Sequence, residues 1–283
     1  MNEIEKKTNK NTQKDTKDTW QEIWAQCIYS IDDLMDKDEW IGIKNSQILP
    51  YIIKLIPQDA IILEAGCGMG PWVLYLTKLH YNIIGIDIAL ETISHTKKLF
   101  PNSSFIGGDI TNICFKENSL DAVLSWGVVE HFESGPQRAL EEIRRVLKPH
   151  CRLFITVPCK NVIYHSPLLK FADLLRKNKL IRKILNKGQF HEEFYQYLFS
   201  KRRFYEELIK AGFEIEEFIP ISHEMGFVSS VNRHLFKGSK LFHQNKNCQW
   251  KGLSTPGSII CNILKRISPW ITPDQIFSIA IKK

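Results

Sequence analysis

Apolar and polar positions alternate in two periods along the middle of the chain. Short apolar runs at 61–64, 83–87, 104–108, 122–126 and 153–157 read as strands. Between them, 71–80, 90–100 and 136–147 repeat at helical spacing, with Ala139, Leu140, Ile143 and Leu147 on one face. Strands alternating with helices predict a parallel sheet covered on both faces. Upstream, Trp20, Ile23, Trp24, Cys27, Ile28, Ile31 and Leu34 predict an amphipathic helix over 20–34, and a second is predicted over 46–55. The ending differs. A helix at 201–211 stops at Gly212, 213–221 alternates like a strand, and 276–283 is a last strand. Two insertions interrupt the pattern, 159–200 and 222–275, the latter rich in Gly, Ser, Asn and Lys.

The expected organisation is a disordered tail (1–18), a helical cap (19–59), a core (60–158), a helical insertion or lid (159–200), and the rest of the core at 201–283 with the insertion 222–275. The tail is polar and low in complexity and has no apolar segment of a secretory signal. Seven cysteines without a C-x-x-C pair suggest a reducing compartment and no zinc site. With no run as long as a membrane span, a cytoplasmic protein is expected, with attachment to a membrane surface open. The formal net charge of +7 is mild for a nucleic-acid binder.

Chemistry gathers at the strand ends. In an open parallel sheet, ligands sit beyond the carboxyl ends of the strands. There the chain places Glu64 with Gly66, Gly68 and Gly70, then Asp87, Asp109 and Trp126. The glycines allow positive φ and close approach of a ligand, or form an ordinary strand-to-helix turn. Asp87, 21 residues after Gly66, can accept both hydroxyls of a ribose or cap a helix. Asp109 can accept from an adenine amine, or be a plain turn aspartate, and Ile110 would pack on the adenine face. Trp126 could offer its backbone carbonyl to an amino group, or be a core tryptophan. Ribose and adenine are common to NAD and S-adenosylmethionine, but the loop discriminates. A dinucleotide fingerprint is G-x-G-x-x-G, whereas this loop is G-x-G-x-G with Pro71 in the third-glycine place. Glu64 suits the ammonium of a methionine tail and would repel a diphosphate.

The segments "LEAGCGMG", "IIGIDIA", "FIGGDI", "FKENSLDAVLSWGVVEHF", "RALEEIRRVLKPHCRLFITVP" and "FSKRRFYEELIKAGFEI" together resemble the class I S-adenosylmethionine-dependent methyltransferases, in particular the group methylating quinones, sugars and lipids. The resemblance covers about 60–158, 195–221 and 276–283. It implies a Rossmann-like α/β fold, with a seven-stranded, mostly parallel sheet, an antiparallel last strand and helices on both faces. It implies that Glu64, Gly66, Gly68 and Gly70 hold the methionine part, Asp87 the ribose with Ile88 beside it, and Asp109 and Ile110 the adenine. Trp126 would border the methionine end and His131 would face the acceptor. The chain departs from the family at His150, where a glycine is usual. If the turn keeps positive φ, His150 adopts it under strain.

The expected activity is methyl transfer from S-adenosylmethionine to a small-molecule, saccharide or lipid-linked acceptor, at oxygen or carbon. The alternatives are a NAD-dependent oxidoreductase and a non-catalytic scaffold of the same fold. The protein would align the reactants and exclude water, with a base needed only for a weakly acidic nucleophile. His131 is the candidate base, or else a histidine bonded to its loop. Trp24, His191 and Tyr195, with Glu192, are candidate acceptor contacts, and the cluster at 191–195 could equally be a solvated helix start. Within 160–190 eight Lys or Arg face one acid, and 166–185 reads as a basic amphipathic helix, either a lid or a peripheral membrane contact. Nucleic acid is disfavoured as acceptor, since no N-P-P-Y-like or D-P-P-Y-like tetrad follows the fourth strand.

Overall fold

A computed structural model describes residues 4–8, 20–22, 43–44, 46–163, 192–227, 242–244, 250–253 and 255–283. In chain order, β1 (Ile4–Thr8) precedes α1 (Leu49–Leu55). The alternating section follows as β2 (Ile61–Ala65), α2 (Pro71–Lys78), β3 (Asn82–Asp87), α3 (Leu90–Leu99), β4 (Ser104–Gly107), β5 (Leu120–Trp126), α4 (Gln137–Val146) and β6 (Leu147–Pro158). The remainder is β7 (Glu192–Tyr197), α5 (Lys201–Lys210), β8 (Phe213–Ile221), β9 (Phe242–Gln244), β10 (Trp250–Leu253), α6 (Thr255–Ile267) and β11 (Gln275–Lys282).

Seven strands form one sheet in the order β4-β3-β2-β5-β6-β11-β8. The pairs β3–β4, β2–β3, β2–β5 and β5–β6 are parallel. The chain runs outward from β2 to β4, then crosses back to start β5 on the other side of β2. That reversal opens a crevice beyond the carboxyl ends of β2 and β5. The last strand runs the other way. Lys282, at the end of β11, donates to the Leu147 carbonyl at the start of β6 at 2.8 Å. Cys159, just past β6, donates its N–H to Asp274, just before β11, at 2.6 Å. The Asp274 N–H in turn meets Ile221, the end of β8, at 3.2 Å, so β11 is antiparallel to both neighbours. The seven-stranded, Rossmann-like sheet with a reversed last strand is the fold the resemblance implies.

The chain divides into two compact units. One comprises Asn11–Thr156, Tyr205–Phe218 and Phe277–Lys283. Its strands are buried on both faces, which is why they read as unbroken apolar runs: Ile62, Leu63, Val123, Leu124, Phe154 and Phe277 are sealed from solvent. In α4, Ala139, Leu140, Ile143 and Val146 form the buried stripe. Pro71 opens α2, where its missing N–H had no partner to lose. His150 does take positive φ, at 61°.

The other unit comprises Met1–Lys10, Val157–Phe204 and Ile219–Ile276. Phe199 and Phe204 pack there with ring centroids 5.5 Å apart. Two expectations are corrected in it. Ile4–Thr8 pairs antiparallel with Glu192–Tyr197, so part of the tail expected to be disordered is a strand. Glu192 and Tyr195 accordingly lie on a strand and not at a helix start. The insertion 222–275 carries the antiparallel pair β9–β10 and the thirteen-residue α6. Pro256, Gly257 and four isoleucines depress helix propensity in α6 and hide it from a reading by composition. Of the helix expected over 20–34, residues 20–22 are helical and the rest, including Trp24, lies outside the described residues, as do His191 and 166–185.

Candidate active site

The loop after β2 is built on three left-handed glycines, with φ of 80° at Gly66, 53° at Gly68 and 73° at Gly70. Gly66 and Cys67 donate their N–H groups to the Ile86 carbonyl at 2.8 and 3.0 Å, which ties the loop to the end of β3. The protein itself needs two of these glycines bare. A Cβ on Gly66 would run into the Val128 side chain, and one on Gly70 into the Phe105 ring. Gly68 is held differently, by its N–H donating to Asp87 Oδ2 at 2.8 Å. Asp87 Oδ1 accepts from Ala89 at 2.9 Å, so one carboxylate fixes both the loop and the start of α3. Burial raises the Asp87 carboxyl above its ordinary value, and the N–H groups of Ala89, Gly68 and Ile88 pull it part of the way back.

The loop forms one wall of a cavity of about 390 Å³ at the crevice between β2 and β5. Glu64, Gly66, Asp87, Ile88, Asp109, Ile110, Trp126 and His131 all line it. Gly68 and Gly70 shape the loop without reaching the cavity surface. Asp109 is exposed and closes a local turn, its two oxygens accepting the N–H and the hydroxyl of Thr111, each at 2.8 Å. The turn reading is therefore present, and the carboxylate still borders the cavity.

Trp20, Met69, Trp72 and Phe132 also line it, although sequence reasoning named none of them for it. Trp72 follows Pro71 in the first turn of α2, directly after the glycines, and that position was the available signal. Trp72 and Trp126 lie 5.4 Å apart, and Trp126 contacts Phe277 at 6.2 Å. Trp20 stands edge-on to His131, with centroids 4.7 Å apart and planes at 78°.

Three buried polar atoms of this region meet no hydrogen-bond partner among the described residues: Glu64 Oε2, Trp126 Nε1 and Glu130 Oε2. An unmatched buried polar group is costly, so each marks a place where a ligand or water is expected. Burial pushes the Glu64 carboxyl well above its ordinary range; the Val73 N–H opposes this and the Asp87 charge adds to it. Burial also raises Glu130, to about 8, against the opposing pull of its own backbone N–H. Glu130 sits in the helical turn Val129–His131, with Oε1 4.0 Å from His131 Nε2.

Residues 63–155 match the family described as "Methyltransferase domain". Over that stretch the chain carries a methyltransferase domain, and its fold is that of the class I S-adenosylmethionine-dependent methyltransferases. Its cofactor is S-adenosylmethionine. A probable S-adenosylmethionine-dependent methyltransferase of Mycolicibacterium smegmatis is 26% identical over 61% of this methyltransferase and 59% of its own length. A demethylmenaquinone methyltransferase of Paenarthrobacter aurescens is 35% identical over 33% of this chain and 37% of its own. The chain thus spans less than two thirds of either relative. A solved structure of a methyltransferase from Methanosarcina mazei is similar in fold, with a TM-score of 0.52 and 18% identity over 82% of this chain and 97% of that one.

Proposed function

We propose that this methyltransferase acts on an apolar small-molecule or lipid-linked acceptor, and that the residues around the glycine loop hold the cofactor. The carrying observation is Glu64: a buried carboxyl at the switch point of the sheet, one oxygen unmatched, beside a loop of left-handed glycines. An anion there suits the ammonium of a methionine tail and would repel a pyrophosphate, which disfavours NAD. The donor set fits S-adenosylmethionine in other respects too. Asp87 keeps lone pairs toward the cavity for ribose hydroxyls. Asp109 offers an acceptor and Ile88 and Ile110 apolar faces for an adenine. Trp126 borders the methionine end. When bound, the cofactor supplies a methyl group already activated on a sulfonium sulfur.

The protein's part is to orient the acceptor and keep water out. Trp20, Trp72, Trp126 and Phe132 give the cavity an aromatic, poorly hydrated lining suited to a ring or an alkyl chain. The name of the Paenarthrobacter relative, which refers to demethylmenaquinone, supports an acceptor of that apolar kind. His131 lines the same cavity, which supports its role here as the base that takes a proton from an acceptor hydroxyl or activated carbon. Trp24, His191 and Tyr195 remain proposals as acceptor contacts.

An untargeted comparison of metabolites and lipids, with and without the active protein, tests the assignment. Species heavier by one methylene unit, with their precursors depleted, are expected in the apolar fraction. Products confined to charged, water-soluble metabolites would overturn the acceptor class. Calorimetry with S-adenosylhomocysteine and with NAD tests the loop separately, since binding of NAD alone would overturn the cofactor site.

A further inference from the structure

Helix α6 is apolar around more of its circumference than the described residues cover. On one side Cys261 and Leu264 join a small core with Phe227, Ile163 and Leu253. On another, Ile259, Ile260, Ile263 and Ile267 are exposed at 55, 40, 53 and 71%. At about 100° per residue these four isoleucines fall within a single arc of roughly 100°. The third side carries Thr255, Asn262, Lys265 and Arg266, and the helix contains no acid.

We propose that the isoleucine face of α6 docks on an anionic lipid surface. Exposed apolar patches of this kind mark interaction sites. The four side chains present on the order of a few hundred Å², short of the roughly 800 Å² per partner that a stable protein interface buries. An amphipathic helix lying in a bilayer interface needs no larger face, because the acyl region surrounds whatever is inserted. The charge agrees. Arg266 borders the isoleucine arc, Lys265 lies in the same polar side, and long basic side chains can keep their charge among headgroups while the apolar face is buried. Within 160–190 the chain adds eight Lys or Arg against one acid, and its formal net charge is +7. The surface inference does not depend on which acceptor is methylated.

Sedimentation of the full chain with vesicles tests it. At low salt the protein is expected to pellet with phosphatidylglycerol–phosphatidylcholine vesicles and to stay in solution with phosphatidylcholine alone. Ile259→Ser/Ile263→Ser/Ile267→Ser should lower the partition coefficient at least tenfold while leaving the circular dichroism spectrum and S-adenosylhomocysteine affinity unchanged. A wild-type protein that does not pellet would overturn the inference. So would a triple variant that pellets like wild type, which would put the contact elsewhere in the chain. A dimer seen by light scattering and lost in the variant would overturn it in favour of a second copy. If the triple variant loses its folded spectrum, Ile267→Ser alone decides the matter, since that side chain is the most exposed. An unchanged partition of that single variant would count against the lipid surface.

Discussion

Glu64, Asp87 and Glu130 are three carboxyls driven upward by the same cause, burial, and each makes a different prediction. For Glu64 the raised proton affinity and the unmatched oxygen belong together, because a cation arriving there restores the carboxylate and expels the proton. Binding of S-adenosylhomocysteine should therefore release protons wherever that carboxyl is still protonated, read as a calorimetric enthalpy that differs between phosphate and Tris buffers. In Glu64→Gln that difference should vanish and affinity should fall by about 10- to 100-fold, the range expected for a hydrogen bond to a charged group. A Gln variant with unchanged affinity would remove the ammonium assignment. Asp87→Asn should weaken the same ligand about tenfold or more, since its oxygens also position Gly68 and Ala89. Glu130 tests linkage. Its folded value of about 8 stands above the ordinary 4.5, so the folded protein binds the extra proton between those limits. Stability is then fully present at the acid end and falls as pH rises through the window, by about 1.4 kcal/mol per pH unit for one group. Glu130→Gln should flatten that decline in thermal melts between pH 5 and pH 8 (a range of roughly three units), and an unaltered slope would place the proton elsewhere.

At the scale of elements, the core was legible because its strands are buried on both faces and its helices on one, so each leaves its own period in the sequence. The glycine loop was legible as a turn but not in its detail. Sequence suggests bare backbone for a ligand, whereas Gly66 and Gly70 are crowded by Val128 and Phe105 of the protein itself. The aromatic wall was hidden for another reason. Trp20, Trp72 and Phe132 come from three distant stretches, and nothing local distinguishes a cavity tryptophan from a core one. The start of β6 was missed because Lys148, Pro149 and His150 look like a turn, although Leu147 already pairs with Leu120. β1 was missed because its residues, IEKKT, carry no apolar alternation and its pairing partner lies far along the chain. The crowding at Gly70 gives a paired prediction. Gly135 also has positive φ, at 95°, but a Cβ there would meet nothing within 4 Å. Gly135→Ala should cost only backbone strain, about 1–2 kcal/mol. Gly70→Ala adds a collision with a buried ring and should cost a further 1–3 kcal/mol or so. Equal melting temperatures for the two variants would mean that the Phe105 ring moves aside freely.

At the scale of the whole molecule, the sheet is completed by the end of the chain. β11 lies between β6 and β8, so the sheet cannot close until the last residues are in place. Lys282 secures this closure. Its side chain turns inward, 5% exposed, and its ammonium donates to Asn118 Oδ1 at 2.7 Å, the Leu147 carbonyl at 2.8 Å and the Arg145 carbonyl at 3.3 Å. Three acceptors, from the turn before β5, the end of α4 and the start of β6, thus converge on one group. Burial lowers the lysine's proton affinity, with the Arg144 charge adding to the effect, so the ammonium is held by its acceptors against a desolvation cost. Truncation to Ala leaves those acceptors without their donor and opens a space along the last strand. The expected loss is about 2 kcal/mol, from hydrogen bonds to a charged group, or a fall of about 4–8 °C in melting temperature for a chain of this size. Lys282→Met keeps the volume and should recover part of the loss, since a buried charge replaced by an apolar side chain of similar size is often tolerated. A Lys282→Ala protein melting within about 1 °C of wild type would show that the last strand is held by its backbone ladder and by Phe277 and Ile279, and that Lys282 contributes nothing to closing the sheet.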